Sequence, residues 1–225
     1  KMVAALLRLG FKKVFDTDFS ADMTIVEEAT EFIDRVQNGG VLPMITSCSP
    51  GWVKFAELYY PDQLDHLSSC KSPQQMMGAI IKTYYAEKHN IDPKDIVSVS
   101  VMPCTAKKFE IGREDQSTSG YADVDIALTT RELGRMIERA GINFVTLPDE
   151  EFDNPLSDDT GAAVIFGATG GVMEAALRTA NDVLTGKDND AVDFKEVRGM
   201  AGLKEAVYNI AGIDVKVAVA SGAEN

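Results

Sequence analysis

Cysteine and histidine are scarce in this sequence, which has three cysteines and two histidines in 225 residues. Cys48, Cys70 and Cys104 are too widely spaced for a disulfide framework, and no C-x-x-C pair is present. The sequence therefore argues against a closed tetrahedral zinc site. Reduced thiols favour a cytoplasmic protein, although a periplasmic relative would have the same residues in this window.

Long apolar runs and an excess of basic residues are also missing. No stretch approaches the ~20 apolar residues that cross a bilayer, and the segment after Lys1 has no signal-peptide pattern. Acidic residues outnumber basic ones by 35 to 22, and the formal net charge of -13 argues against a nucleic-acid partner. The hydrophobic content of 45% is ordinary for a globular protein with a real core.

Short apolar runs alternate with helical patterns along most of the chain. Helical spacing of apolar residues predicts helices at 2–9, 22–37, 52–60, 73–89, 131–141 and 172–184. Apolar runs predict strands at 11–15, 41–45, 96–102, 124–128, 144–147, 162–166, 192–199, 204–210 and 215–220, with an antiparallel pair among the last three. These repeated units predict an α/β fold of mostly parallel β-sheets flanked by helices. The acidic stretch 148–161 is a candidate boundary between two lobes.

Two of the cysteines follow predicted strands. Cys104 lies in the segment MPCTAKKFE, and Cys48 lies in the segment TSCSPGW. Open α/β sheets place their chemistry at the carboxyl ends of strands, and thiolates suit iron–sulfur clusters. A lysine such as Lys107 would lower the pKa of a neighbouring thiol. The two segments are candidates for a thiolate metal site of unspecified metal, with a buried inert thiol as the ordinary alternative.

Two other features have a plain explanation beside a functional one. On the helix predicted over 22–37, Glu28, Glu31 and Arg35 fall at i, i+3 and i+7 and so line one face. Taken alone, this pattern favours a solvated face with an ion pair. The run Gly167–Gly171 is a weak candidate for a nucleotide loop, because it lacks both the G-x-G-x-x-G spacing and the lysine of a P-loop. A tight turn into a helix explains these glycines better.

The segments TSCSPGW and MPCTAKKFE resemble two of the three signature motifs of the iron-only (FeFe) hydrogenases. The stretches SSCKSPQQ, TTREL and GAAVIFGATGGVMEAALRTA extend this resemblance over nearly the whole chain. The resemblance implies a two-lobed α/β catalytic domain with the active-site cleft between its lobes. There, a 4Fe–4S cluster linked to a di-iron subsite with carbon monoxide, cyanide and dithiolate ligands (the H-cluster) would interconvert protons, electrons and dihydrogen. Ferredoxin or another iron–sulfur module is the implied electron partner.

The resemblance also implies roles for single residues. Cys104 matches a thiolate ligand of the cubane, and Cys48 matches the cysteine that passes protons to the bridging amine. The residues that match the proton relay behind Cys48 are Glu28, Glu31, Arg35 and Ser68. The residues that match the cofactor pocket are Lys107 at a cyanide, Met102 and Phe166 on the di-iron unit, and Ser72 and Pro73 beside them. Core packing is the ordinary alternative for the pocket residues.

Two departures from the family pattern bear on the metal. Ser49 stands where the family has a second cysteine that ligates the cubane, and serine oxygen suits such iron less well. Ligation by Ser49, substitution by Cys48 and help from Cys70 all stay open. The third motif, with two cysteines and a glycine run, is absent, which predicts a partial catalytic domain, residues 1–225, that needs missing flanking segments and binds no complete cluster alone. The alternative function is a hydrogenase-like iron–sulfur protein for sensing or cluster assembly, without hydrogen turnover.

Overall fold

The computed structural model describes residues 1–156, 162–187, 195–196 and 201–225. The chain divides into two compact units. The first consists of Lys1–Ser20 and Lys71–Asp158, and the second of Ala21–Cys70 and Asp159–Asn225. The predicted lobe boundary at 148–161 lies partly outside the described residues and stays a prediction.

In the described residues, five helices precede the first strand, helices and strands alternate from β1 to α7, and three strands follow α8. The helices are α1 (Met2–Arg8), α2 (Thr17–Asn38), α3 (Pro50–Tyr59), α4 (Pro73–Ile80), α5 (Ala86–Lys88), α6 (Ala106–Glu110), α7 (Thr130–Arg139) and α8 (Gly171–Thr185). A π-helical turn, Ile81–Tyr85, joins α4 to α5, so the helix predicted over 73–89 is continuous. The strands are β1 (Val99–Met102), β2 (Ile126–Thr129), β3 (Lys195–Glu196), β4 (Leu203–Ile210) and β5 (Ile213–Ala220).

The first unit is built on the parallel pair of β1 and β2, which are in register from Val99 opposite Ile126 to Met102 opposite Thr129. Thr129 ends β2 and begins α7 through a reciprocal capping box with Glu132. The core of the unit consists of apolar side chains of α1 and α7 with neighbours from the connecting segments, namely Val3, Ala4, Ala5, Leu6, Val14, Leu133, Ile137 and Leu147. The α/β class with a parallel sheet is therefore confirmed.

The second unit packs two helices on an antiparallel sheet. Strands β3, β4 and β5 follow one another in the sheet, and β4 and β5 form a hairpin whose last pair is Ile210 and Ile213. The two turn residues both have positive φ, which matches a type I′ turn. Ala29 of α2, Leu177 and Ala180 of α8, and Tyr208 and Ile210 of β4 form the core. The predicted antiparallel pair is confirmed. Of the five described strands, three belong to this antiparallel sheet and two belong to the parallel sheet of the first unit.

Four of the predicted strands are wrong. The runs 144–147 and 162–166 form 3₁₀ turns, Phe144–Thr146 and Ala162–Gly167. The runs 11–15 and 41–45 contribute only isolated bridges, at Phe15 and Ile45. Apolar runs of four or five residues carry no reliable period, so they cannot distinguish a strand from a buried turn. Most of the strand predicted over 192–199 lies outside the described residues, which include β3 alone.

Candidate active site

Three charged side chains line one face of α2, as their spacing predicts. Glu28, Glu31 and Arg35 all lie within this helix, which begins earlier than predicted, at Thr17. The face is not a solvated one, because Glu28 is only 1% exposed. Burial of a carboxyl group without a partner disfavours its charged form, so the surroundings of these residues decide what they can do.

Glu31 lies in a cage of hydrogen-bond donors. Its carboxylate accepts from Arg35 Nη2 at 2.6 Å and Nε at 3.0 Å, and from Ser68 Oγ at 2.8 Å. The backbone N–H of Ser69 donates at 3.0 Å, and Cys70 Sγ donates at 3.5 Å. Burial raises the pKa of Glu31, but the hydrogen bonds from Ser68, Arg35 and Ser69 outweigh it and hold the pKa below its ordinary value. Glu31 is therefore a fixed anion at neutral pH.

Glu28 has the opposite environment. Neither oxygen of its carboxyl group has a hydrogen-bond partner in the part of the chain that the structure describes. Burial and the charge of Glu31 raise the pKa of Glu28 to about 7. The Ser68 hydroxyl and the Ser47 backbone amide face Glu28 without making a hydrogen bond, and they offset only part of this rise in pKa. Glu28 thus changes its charge near neutral pH, whereas Glu31 does not.

Cys48 follows an extended segment that is paired with the chain around Leu67. Ile45 and Leu67 form an isolated parallel bridge, and Ser47 Oγ donates to the carbonyl oxygen of Cys70 at 3.1 Å. Cys48 itself is half-buried. The bridge takes the place of the predicted strand, so Cys48 does not lie at a strand end. The pairing nevertheless holds the residue before Cys48 against the loop that carries the donors of Glu31.

Ser49 and Cys70 are the two residues that could stand in for a missing cluster cysteine. Ser49 is exposed and begins α3 in extended conformation, and its side chain makes no capping hydrogen bond. Burial raises the pKa of the Cys70 thiol to about 12, with further contributions from the charges of Glu28 and Glu31. The thiol contacts Glu31 Oε2 at 3.5 Å. Metal binding needs the thiolate form, which this raised pKa disfavours, and ligation by Ser49 or Cys70 stays a prediction.

In the first unit, Cys104 and Lys107 lie just beyond the end of β1. Cys104 is exposed, two residues after the half-buried Met102 that ends the strand. Lys107 lies in α6, where its ammonium contacts both carboxylate oxygens of Glu110, at 3.0 and 3.1 Å. The predicted strand before Cys104 is thus confirmed.

Glu110 is the centre of a buried network that reaches from α6 to α4 and β1. Ser72 Oγ and Gln74 Nε2 both donate to Glu110 Oε2, at 2.8 and 2.9 Å, and Ser100 Oγ donates to Gln74 Oε1 at 2.7 Å. Ser72 also caps α4, with Pro73 at the first helical position, as the sequence predicts. Sequence reasoning assigned no role to Glu110 or Gln74. Glu110 follows Lys107 at i, i+3 spacing on α6, and this spacing could have identified Glu110 as the ion-pair partner of the lysine.

Phe166 lies in the 3₁₀ turn Ala162–Gly167 and is half-buried. It packs against Ile25 and two alanines of α8, so core packing describes its contacts. Local structure explains two glycines of the run that follows. A Cβ on Gly171 would collide with the carbonyl oxygen of Ile165, and Gly170 has a positive φ. Neither glycine requires a phosphate.

The side chains that could hold a metal do not form a complete set. Cys48 and Cys70 belong to the second unit and Cys104 to the first. Within the described ranges, no group of three or more His, Cys, Asp or Glu side chains could hold a metal ion. A 4Fe–4S cubane takes four thiolates, whereas the sequence has three cysteines, one of which bonds to Glu31. The residues present therefore do not fit a complete cluster, and the convergence of Cys48 and Cys104 on one stays a prediction.

The whole chain matches a known family. A family model described as the iron-only hydrogenase large subunit, C-terminal domain, matches residues 1–225. The chain belongs to this hydrogenase family. The periplasmic [Fe] hydrogenase large subunit of Nitratidesulfovibrio vulgaris is 54% identical over 226 residues, covering 100% of this chain and 54% of the relative. Iron hydrogenase 1 of Clostridium pasteurianum is 51% identical over 225 residues, covering 100% of this chain and 39% of the relative.

Structural similarity agrees with this hydrogenase membership. A solved apo [FeFe]-hydrogenase variant from Chlamydomonas reinhardtii is similar with a TM-score of 0.82 and 46% identity, over 93% of this chain and 53% of that one. The chain thus spans 39% to 54% of the length of these hydrogenase relatives. A cytosolic Fe–S cluster assembly factor from Xenopus tropicalis is less similar, at 36% identity over 212 residues. Every helix in the described ranges is too short or too polar to serve as a membrane span.

Proposed function

We propose that the chain is the central part of the catalytic domain of an iron-only hydrogenase, which interconverts protons, electrons and dihydrogen. The observation that carries this proposal is the polar cluster of the second unit. It places a buried carboxyl group, Glu28, whose pKa is raised to about 7, beside Ser68, whose hydroxyl donates to a fixed anion, Glu31. A carboxyl group that titrates near the working pH can both accept and release a proton.

Within this proposal, Ser68 is the link between the two carboxylates. Its hydroxyl donates to Glu31 Oε2 and accepts from the Cys70 backbone N–H at 3.2 Å. For transfer, the protonated carboxyl group of Glu28 must first move within hydrogen-bond distance of Ser68 Oγ. Ser68 then takes this proton as it passes its own hydroxyl proton to Glu31, which holds the proton only transiently because its pKa is low. The reverse transfer brings a proton inward. A cleft of about 530 Å³ bordered by Arg35, Ser68 and Ser69 gives the outer end of this relay access to water.

The metal chemistry belongs to the complete protein. One solved relative is named for the assembly of an H-cluster. We propose that the protein that includes this chain binds the same group, which would supply the redox chemistry when bound. Cys104 is the ligand that this chain would contribute, and Lys107, Met102, Ser72, Pro73 and Phe166 are the pocket residues that the family resemblance assigns. Ferredoxin or an associated iron–sulfur module is the proposed electron partner.

The test is hydrogen evolution by the complete gene product, expressed together with the proteins that assemble the cluster. We expect turnover with a reduced one-electron donor, and a loss of about 10²-fold or more for Glu28→Gln, since removal of a positioned acid–base group typically costs that much. Glu27→Gln, an exposed neighbour on the same helix, is the matched control and should leave the rate unchanged. A cluster-loaded product without turnover would contradict the proposal.

A second function, an iron–sulfur protein without hydrogen turnover, is favoured by one observation. Ser49 occupies the position of a family cysteine, and a cluster assembly factor is among the relatives. This alternative is supported less well, because the assembly factor is 36% identical, whereas the two bacterial hydrogenases above are 54% and 51% identical. Transfer of iron and sulfide from the complete product to an apo-ferredoxin, with no hydrogen evolved, would favour it.

The compartment is a separate proposal. None of the three cysteines forms a disulfide, which supports a cytoplasmic location, whereas the relative from Nitratidesulfovibrio vulgaris is named as periplasmic. Fractionation of the source cells with an antibody against the chain would distinguish the two.

A further inference from the structure

All five N–H donors of the Arg35 side chain are engaged in hydrogen bonds. A guanidinium carries five N–H donors in a planar fork. In this chain Nε and Nη2 donate to Glu31, Nη1 donates to the carbonyl oxygens of Val41 and Asp65, and Nη2 donates to that of Leu67. The five distances lie between 2.6 and 3.1 Å, so every donor is engaged.

The acceptors of Arg35 belong to two different segments of the chain. Val41 lies in the segment that leads to Cys48, and Asp65 and Leu67 lie in the segment that leads to Ser68. The same two segments pair with each other beyond the guanidinium, through the bridge of Ile45 with Leu67. Arg35 therefore bonds to both segments next to the point where they pair, and it lies on the same helix as Glu31.

The end of α2 is shaped for this contact. The Gly40 N–H donates to the Arg35 carbonyl at 2.8 Å, which folds the chain back over the arginine. A Cβ at position 40 would lie 2.7 Å from Arg35 Cγ, which is closer than real Cβ contacts allow. Gly40 is thus required for the chain that includes Val41 to reach the guanidinium.

Arginine chemistry also argues against a transferable proton here. A guanidinium stays protonated in proteins, and each of these five protons is held by an acceptor. Giving one up would leave a neutral guanidine beside the Glu31 anion and break a contact to one of the two segments. The hydroxyl of Ser68 and the carboxyl groups have no such restriction.

We propose that Arg35 is a positioning residue that fastens the segments leading to Cys48 and Ser68 onto Glu31, and that it carries no proton itself. The second half of this statement rests on the proposed function, while the first does not. Because a lysine supplies the same charge without the planar fork, the fastening should be lost in Arg35→Lys although the charge is kept.

The experiment measures hydrogen–deuterium exchange and the titration of labelled glutamate carboxyl carbons in the full chain in its metal-free form. In Arg35→Lys we expect the Ile45 and Ser68 amides, which both donate within the pairing, to exchange about tenfold faster or more. We also expect the titration midpoint of Glu31 to rise, because it loses donors that favour its charged form.

Two further variants make the test sharp. Arg178→Lys is the matched control, since Arg178 pairs with Glu174 at the same i, i+4 spacing on α8, and both readouts should stay unchanged. Gly40→Ala keeps the arginine but displaces the segment, so it should reproduce the faster exchange even where Arg35→Lys fails to fold. Unchanged exchange and titration in Arg35→Lys would overturn the proposal. Neither readout depends on hydrogen turnover, so a failure of the proposed function would be seen separately.

Discussion

Glu28 and Glu31 are three residues apart on one helix, yet their surroundings shift their pKa values in opposite directions. Burial dominates for Glu28, which has no hydrogen bond to compensate it in the described part of the chain. The donors of residues 68–70 and Arg35 dominate for Glu31. Helical spacing predicts the shared face and the contact with Arg35 but not this difference, because the other donors come from a loop more than 30 residues away in sequence.

The pKa of Glu28 predicts how stability depends on pH. Its pKa in the folded chain is about 7, above the ordinary value of 4.5, so its stabilising contribution is complete below pH 4.5 and is lost as the pH rises through 7. Relative to Glu28→Gln, the native chain should lose up to about 3 kcal/mol of unfolding free energy over this range. Urea denaturation of both proteins at a series of pH values measures it.

The control for this prediction is Glu27→Gln, which changes an exposed carboxyl group on the same helix. Its stability should follow that of the native chain at every pH. A constant difference between the native chain and Glu28→Gln from pH 4.5 to 8 would show that Glu28 does not titrate in this window.

At the scale of elements, capped and periodic helices were predicted well and short apolar runs were not. Ser72 and Pro73 begin α4 as their residue types require, because a hydroxyl cap and a fixed φ favour that position. The run 144–147 instead forms a 3₁₀ turn, since no partner strand is present to pair with it in the described residues. Local chemistry specifies a cap, whereas a strand depends on what lies beside it.

Two helical glycines give opposite predictions from the same substitution. Gly134 lies inside α7 with open space around it, so Gly134→Ala should stabilise the chain by about 0.5–1 kcal/mol through lower chain entropy when unfolded. Gly78 lies inside α4, where a Cβ would collide with the backbone of Asp123, so Gly78→Ala should destabilise it by about 1–3 kcal/mol.

Urea denaturation midpoints measure both changes, and each variant serves as the control for the other. An equal gain in both variants would mean that α4 does not approach Asp123 as closely as described.

At the scale of the whole molecule, the family and the α/β class follow from the sequence, and the arrangement of the metal ligands in space does not. The motifs around Cys48 and Cys104 identify the hydrogenase family, which the match over residues 1–225 confirms. The cluster needs thiolates brought together from distant segments, and local sequence patterns do not set the distances between them. Cys70 is an example, because its sequence position does not show that its thiol contacts Glu31, and the structure does.

The cysteine count leads to a prediction about metal content. Expressed as these 225 residues together with the cluster-assembly proteins, the chain should show no infrared bands from metal-bound carbonyl or cyanide, and less than one 4Fe–4S cluster per chain by iron analysis. The three thiols cannot complete a four-thiolate set. Clear carbonyl and cyanide bands would contradict this prediction, and a full-length relative carried through the same preparation is the positive control.

Ser49 is a position at which a fourth thiol could be added to the metal-binding side chains of the chain. Its side chain projects from the start of α3 without a capping bond, so a sulfur atom could replace its oxygen with little effect on folding. A Ser49→Cys substitution would therefore raise the number of thiols in the chain from three to four without removing a helix cap.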